Sequence, residues 1–129
     1  MKRLILFLLL CTGCLSASAT NIQQLIQLVD YVGVDYGGAV RNGEIINPFE
    51  YGEMQDFSKA IVEQVATLPA SDARRQLTTQ AAELARLVEA RVDAGEVKVM
   101  TASMRQVFIG GFDVTVAPRG APDMKAAPK

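Results

Sequence analysis

The sequence predicts an all-α protein, a small bundle of about four helices between a cleaved signal peptide and a Pro-rich tail. Three observations predict this class. Four segments carry apolar residues every three or four positions, a spacing that gives a helix one apolar face. Short connections containing glycine, proline or asparagine separate these segments. Both cysteines lie in the first nineteen residues, so the remaining chain must be stabilised by packing without disulfides. The predicted helices cover residues 20–34, 47–68, 71–93 and 96–108.

The first nineteen residues, MKRLILFLLLCTGCLSASA, have the order of a secretory signal peptide. Two basic residues precede an apolar run that is shorter than the ~20 residues of a membrane span, and Ala17 and Ala19 suit signal peptidase. We therefore expect a periplasmic protein that begins at residue 20 after cleavage. Both cysteines, Cys11 and Cys14, lie in this segment. The alternative is a lipoprotein that is processed at Cys14 and anchored there by lipid.

The composition argues against several classes of protein. The 13 Lys and Arg against 14 Asp and Glu give a net charge of −1 without a basic block, which argues against nucleic-acid binding. The chain has no histidine, so it offers no Ser-His or Cys-His nucleophile and no Cys-x-x-Cys-His motif for covalent haem. We expect no enzymatic activity, no covalent cofactor and no transmembrane span in the mature chain.

Local signals predict the limits of the first helix and the conformation of the following loop. Thr20 and Gln23 have the spacing of a capping box, and Gly37-Gly38 predicts a left-handed stop. The loop of residues 38–46 contains Asn42-Gly43, which is a turn signal that hairpins also use. Because only two apolar residues flank this turn on each side, we expect a simple turn and not a pair of strands.

The second helix has the clearest predicted start. Asn47 is a good N-cap, Pro48 suits the first helical position, and Glu50 falls in the first turn, where an acid complements the helix dipole. Pro69 is expected to end this helix because proline cannot continue it.

The last two helices are bounded by a serine and by two glycine signals. Ser71 is expected to cap the third helix, and Ala94-Gly95 to break it. Gly110-Gly111 is expected to end the fourth helix. The helical domain is therefore predicted over residues 20–112. Residues 113–129 are predicted to form a Pro-rich tail or linker remnant that is extended at first and then disordered.

The apolar stripes predict which side chains form the core. Three of the methionines lie on these stripes, so we interpret them as core residues and not as copper ligands. The predicted core positions are Ile22, Leu25, Ile26, Leu28, Val29 and Val32, then Met54, Phe57, Ile61, Val65 and Leu68, then Leu77, Ala81, Leu84, Val88 and Val92, and finally Val97, Met100, Met104 and Val107.

Acidic residues at the start of the second helix are the best candidates for a binding site. Glu50, Glu53 and Asp56 are spaced by three, so they follow one slowly turning helix face. Asp35 and Tyr36 lie at the end of the first helix, one loop away, and Glu44 lies on that loop. Tyr51 follows Glu50 directly. Carboxylate and phenolate oxygens suit hard cations such as ferric iron, calcium and magnesium. The alternative is that the acids are helix caps and solvated surface, and that the tyrosines pack at a helix junction.

Two short stretches resemble the periplasmic N-terminal domain of the bacterial iron permease family. DYGGAV at residues 35–40 ends a helix, and EYGEM at residues 50–54 opens the next one. The resemblance is firm over residues 22–57 and looser through the later helices. In many members of that family, this domain leads through a Pro-rich segment into a c-type cytochrome domain and then into a membrane permease.

The resemblance implies a periplasmic module that serves iron uptake, with a membrane iron permease and a c-type cytochrome as partners. The chain lacks the Arg-Glu-x-x-Glu signature of iron translocation, so we expect that it does not itself transport iron. We expect either a stand-alone domain or part of a split permease. The alternative is a scaffold or assembly domain without a metal site. The matched positions imply iron ligands at Asp35, Tyr36, Glu50, Tyr51 and Glu53.

Overall fold

The computed structural model describes residues 21–112 and Val114, and it confirms the predicted all-α bundle. The predicted signal peptide, the Thr20 cap and the tail other than Val114 lie outside these residues. A 3₁₀ turn and two short strands join the first helix to the second. The elements are α1 (Asn21–Asp35), the 3₁₀ turn (Tyr36–Gly38), β1 (Val40–Arg41), β2 (Glu44–Ile45), α2 (Pro48–Val65), α3 (Asp72–Glu89) and α4 (Ala94–Gly111).

The four helices enclose one apolar core. Each helix packs against two others, in the order α1, α2, α3, α4 and back to α1. Met54 and Met104 are fully buried, which confirms their interpretation as core residues. None of the described helices is long and apolar enough to cross a membrane. The largest fully buried side chains are Tyr36, Phe108, Leu25, Met54, Ile61, Leu77, Leu84, Met104, Val29, Val32, Val65 and Val88.

Side-chain caps form the predicted starts of α2 and α3. The Asn47 Oδ1 atom accepts a hydrogen bond from the Glu50 backbone N–H at 3.1 Å. The Ser71 hydroxyl accepts one from the Arg74 backbone N–H at 3.0 Å. Each bond satisfies one of the N–H groups that have no partner within the helix. The Arg74 guanidinium also donates to the carbonyl of Leu68 at 3.2 Å, so this one residue links the end of α2 to the start of α3.

The loop after α1 differs from its prediction in two ways. A hairpin forms where we expected only a turn: Val40 pairs with Ile45 and Arg41 with Glu44. Asn42 and Gly43 have φ of 53° and 78°, and two left-handed residues in a row give the twist that a tight hairpin needs. The expected left-handed stop at Gly37-Gly38 is wrong. These residues form part of the 3₁₀ turn. Among the glycines of the described residues, it is Gly43 that has a positive φ.

The junction between α3 and α4 also lies earlier than predicted. Helix α3 ends at Glu89, and Arg91 adopts the left-handed conformation with φ of 55°. The break expected at Ala94-Gly95 is therefore wrong, because these two residues form the first turn of α4. Asp93 precedes them in extended conformation and supplies the N-cap position. Gly110-Gly111 lies inside the last turn of α4 and not beyond its end.

A close contact and an ion pair hold α1 against α4. Gly33 is buried, and a Cβ atom added to it would lie 2.4 Å from Thr101 Oγ1. Thr101 is itself fixed, because its hydroxyl donates to backbone carbonyls of its own helix. One turn along α4, the Arg105 guanidinium donates to the Asp30 carboxylate. The absence of a side chain at Gly33 thus sets how closely these helices approach.

Replacing Gly33 by alanine is expected to lower the free energy of unfolding by about 1–3 kcal/mol, because overpacking outweighs the gain in helix propensity. The added methyl would also lie 3.2 Å from Thr101 Cβ, so rotation of the hydroxyl does not relieve the clash. Urea denaturation measures the change.

The matched control is Gly52→Ala in α2, where nothing lies within 4 Å of an added Cβ atom. There we expect a gain of roughly 0.5–1 kcal/mol from helix propensity alone. If both variants were stabilised equally, the close approach of α1 and α4 would be wrong.

Candidate functional site

Carboxylates gather at one end of the bundle, which we call the acidic end. Here the C-terminal ends of α1 and α3 lie beside the N-terminal ends of α2 and α4. The ion pairs found in the described residues join Asp72 to Arg75, Glu83 to Arg86 and Asp30 to Arg105, and none of them involves a carboxylate of the acidic end. The acids of this end are Asp35, Glu44, Glu50, Glu53, Glu89, Asp93 and Glu96, and its bases are Arg41, Arg86, Arg91 and Lys98.

Tyr36 and Tyr51 point into the bundle beneath this surface. The Tyr36 hydroxyl donates to the Val92 carbonyl at 2.7 Å, and the Tyr51 hydroxyl donates to the Val88 carbonyl at 2.8 Å. Both rings are buried. The two carbonyls belong to the last turn of α3 and to the connection that follows it. The Val88 carbonyl also accepts from the Arg91 backbone N–H at 3.1 Å, so Tyr51 gives that oxygen a second hydrogen bond. The phenols therefore tie α1 and α2 to the α3–α4 junction.

Burial further disfavours ionisation of these two phenols. It raises the pKa of Tyr36 from 10.0 to about 12 and raises the pKa of Tyr51 as well. For Tyr36 the neighbouring Tyr51 and the carboxylate of Asp93 add to the rise. A phenol binds a metal ion well only as phenolate. At neutral pH these side chains are neutral hydrogen-bond donors.

Tyr31 is the tyrosine that interacts with the predicted carboxylates. A hydrogen bond with the Asp35 carboxylate, one helical turn away, is the main cause that raises the Tyr31 pKa from 10.0 to about 12, and the charges of Glu53 and Glu50 contribute. The Tyr31 ring makes an edge contact with Phe57 of α2, with ring centroids 5.2 Å apart. Sequence reasoning missed Tyr31, although its i,i+4 spacing from Asp35 was the available signal.

The structure thus divides the five ligands that the sequence predicted into two groups. Asp35, Glu50 and Glu53 raise the Tyr31 pKa through their charges, whereas Tyr36 and Tyr51 turn their hydroxyls towards the α3–α4 junction. Over the described residues, no three His, Cys, Asp or Glu side chains are close enough to hold a metal ion. Iron ligation by the carboxylates stays a prediction. For the two buried tyrosines, ligation would require breaking the hydrogen bonds to backbone carbonyls.

The comparison with protein families agrees with the resemblance seen in the sequence. Residues 14–109 match the model of the iron permease-associated four-helix bundle domain. This match covers most of the chain, so the protein belongs to that family. The match includes no permease or cytochrome domain. Searches of curated proteins and of solved structures gave no match.

Replacing Tyr36 or Tyr51 by phenylalanine is expected to lower the free energy of unfolding by about 0.5–1.5 kcal/mol for each lost hydrogen bond. Tyr31→Phe is the control, because its partly exposed phenol binds no backbone carbonyl, and its effect should stay within about 0.5 kcal/mol. Urea denaturation compares the three variants. An equal loss in all three would contradict the role given to the buried bonds.

The three tyrosines are expected to ionise only in strongly alkaline solution. Because the pKa of Tyr36 is raised in the folded chain, its contribution to stability is fully present below pH 10 and is lost as the pH rises towards about 12. The ultraviolet absorbance of tyrosinate should therefore develop well above pH 10 in the folded protein and near pH 10 in denaturant. Tyr36→Phe should lose less stability than the parent over this range. A folded-state midpoint near pH 10 for all tyrosines would be inconsistent with these hydrogen bonds.

Proposed function

We propose that this protein is a periplasmic accessory module for iron uptake, acting with a membrane iron permease and, on the family resemblance, with a c-type cytochrome. The observation that carries the proposal is membership of the iron permease-associated four-helix bundle family. The module itself neither transports iron nor catalyses a reaction, and it carries no covalent haem. Translocation belongs to the permease.

In this proposal iron is the cargo, and carboxylates among Asp35, Glu50 and Glu53 bind it with fewer than three ligands at a time, because no three of the described carboxylates lie close enough to share an ion. Their carboxylate oxygens are hard ligands that suit a hard cation. Asp35 ends α1, where the helix dipole is negative and favours a cation. No ion pair of the described residues engages these carboxylates, so a cation need not displace a lysine or arginine from them. Weak ligation by half-buried carboxylates suits a module that must release iron to a partner.

The second candidate is a scaffold or assembly domain without a metal site. The hydrogen bonds of Tyr36 and Tyr51 favour it, because they give two of the predicted ligands a packing role. The spread of the carboxylates also favours it. In this case the acids at the start of α2 only complement the positive end of the helix dipole and form part of the solvated surface.

The double variant Glu50→Gln/Glu53→Gln separates the two candidates. If the carboxylates hold iron, affinity should fall by more than about tenfold, equivalent to ~1.4 kcal/mol. The fold should persist, because Asn47 caps α2 through the backbone N–H of residue 50 and not through its side chain. Iron titration of the purified mature chain, with circular dichroism for the fold, makes the measurement.

The matched control is Asp56→Asn/Glu63→Gln, which removes the same charge from exposed positions of the same helix. It should bind iron like the parent. Equal affinities for the parent and both double variants would exclude Glu50 and Glu53 as ligands. An absence of iron binding by the parent at micromolar concentration would favour the assembly domain.

A further inference from the structure

Large apolar side chains are exposed at the acidic end. Ile45, Ile46 and Phe49 lie within five consecutive positions of the hairpin and the first turn of α2, and we call them the apex patch. Their exposed fractions are 37%, 43% and 74%. A phenylalanine exposed to this extent gains little from folding, so an apolar cluster of this kind points to a contact surface.

The fold holds the apex patch in a fixed conformation. Val40, the strand partner of Ile45, is buried and anchors the hairpin. The Ile46 backbone N–H donates to the Ala39 carbonyl at 2.8 Å, which extends the pairing past the strand. The Asn47 cap fixes the helical turn that carries Phe49. A surface that is already ordered loses little entropy when it binds.

Acids surround the apex patch. Phe49 and Glu53 lie four residues apart on α2, so they share one face of the helix. Glu50 follows Phe49, and Glu44 precedes Ile45. Arg41 is the base nearest in the hairpin, opposite Glu44 in the strand register. The patch is therefore an apolar centre within a predominantly acidic rim.

This charge selects among the surfaces that the apex patch could contact. Anionic lipid headgroups would repel the rim. A second copy would bring like charges face to face, which opposes a symmetric dimer through this end. A protein surface with an apolar seat surrounded by Lys and Arg would instead be attracted and correctly oriented.

We infer that the apex patch is the surface by which this module docks on the extracytoplasmic side of a membrane iron permease, at an apolar seat with a basic rim. The inference rests on the proposed function for the identity of the partner. Beyond the proposed function, the inference specifies that the acidic end of the bundle faces the permease. Cargo held by Asp35, Glu50 and Glu53 would then lie beside the docking contact.

Photo-crosslinking in the source cells, with the full chain, tests the docking surface. A benzophenone analogue of phenylalanine is placed at position 49, or for comparison at position 109. Ile109 is 38% exposed and lies near the C-terminal end of α4, at the opposite end of the bundle. We expect position 49 to give an adduct with an extracytoplasmic segment of an iron permease that carries Lys or Arg, and position 109 to give none.

A second substitution tests whether the crosslinked contact depends on Ile46. Ile46→Ser should lower the yield of the adduct from position 49 by about tenfold, as expected for an anchor at the centre of an interface. Ile109→Ser, which changes the same residue type at similar exposure, should leave the yield unchanged. Equal yields with the two serine variants would overturn the assignment of the apex patch.

The other outcomes show whether the docking surface, the class of partner or the proposed function is wrong. A permease adduct from position 109 alone would overturn this surface but leave the proposed function standing. An adduct from position 49 with a second copy, with lipid or with an unrelated protein would overturn the docking inference. Binding of the parent to phosphatidylglycerol vesicles that Phe49→Ser abolishes would assign the patch to the membrane instead. No permease adduct from either position would count against the docking surface and also against the permease partner.

Discussion

Two hydrogen bonds from buried tyrosines hold the acidic end of this bundle together. The chain must reverse between α3 and α4, and Arg91 adopts a left-handed conformation to do so. The carbonyls of Val88 and Val92 flank this reversal, and they accept hydrogen bonds from the hydroxyls of Tyr51 and Tyr36. Because the tyrosines come from the α1–α2 connection and from α2, each bond joins the two halves of the bundle.

This arrangement separates the interior of the acidic end from its surface. The phenols are neutral and buried, and they serve packing. The carboxylates of Asp35, Glu50 and Glu53 stay at the surface, where they act on the exposed Tyr31. Packing at this end thus depends on the buried phenols and not on the surface carboxylates, so surface residues can change without loss of the α3–α4 junction.

Membership of the iron permease-associated family and the shape of the acidic end support one functional proposal. Half-buried carboxylates and an exposed apolar patch lie on neighbouring turns of α2 and on the hairpin. A module that holds cargo weakly and docks through the adjacent residues can pass a cation to a partner over a short distance. The hairpin is central to this arrangement, because it positions both Ile46 and the start of α2.

The sequence by itself determined the features that depend on near neighbours. Caps at Asn47 and Ser71 and the apolar stripes of the four helices follow from residues three or four positions apart. The structure confirms the caps and buries most stripe positions, but Val92 lies beyond the end of α3 and the following are only partly buried: Ile22, Leu28, Phe57, Val92, Met100 and Val107. Only the tertiary structure decided the hairpin pairing, the helix break at Arg91 and the partners of Tyr36 and Tyr51. The tyrosine hydrogen bonds span 56 and 37 positions of the chain. No local pattern encodes such a contact, because it forms only when distant helices pack around a common core.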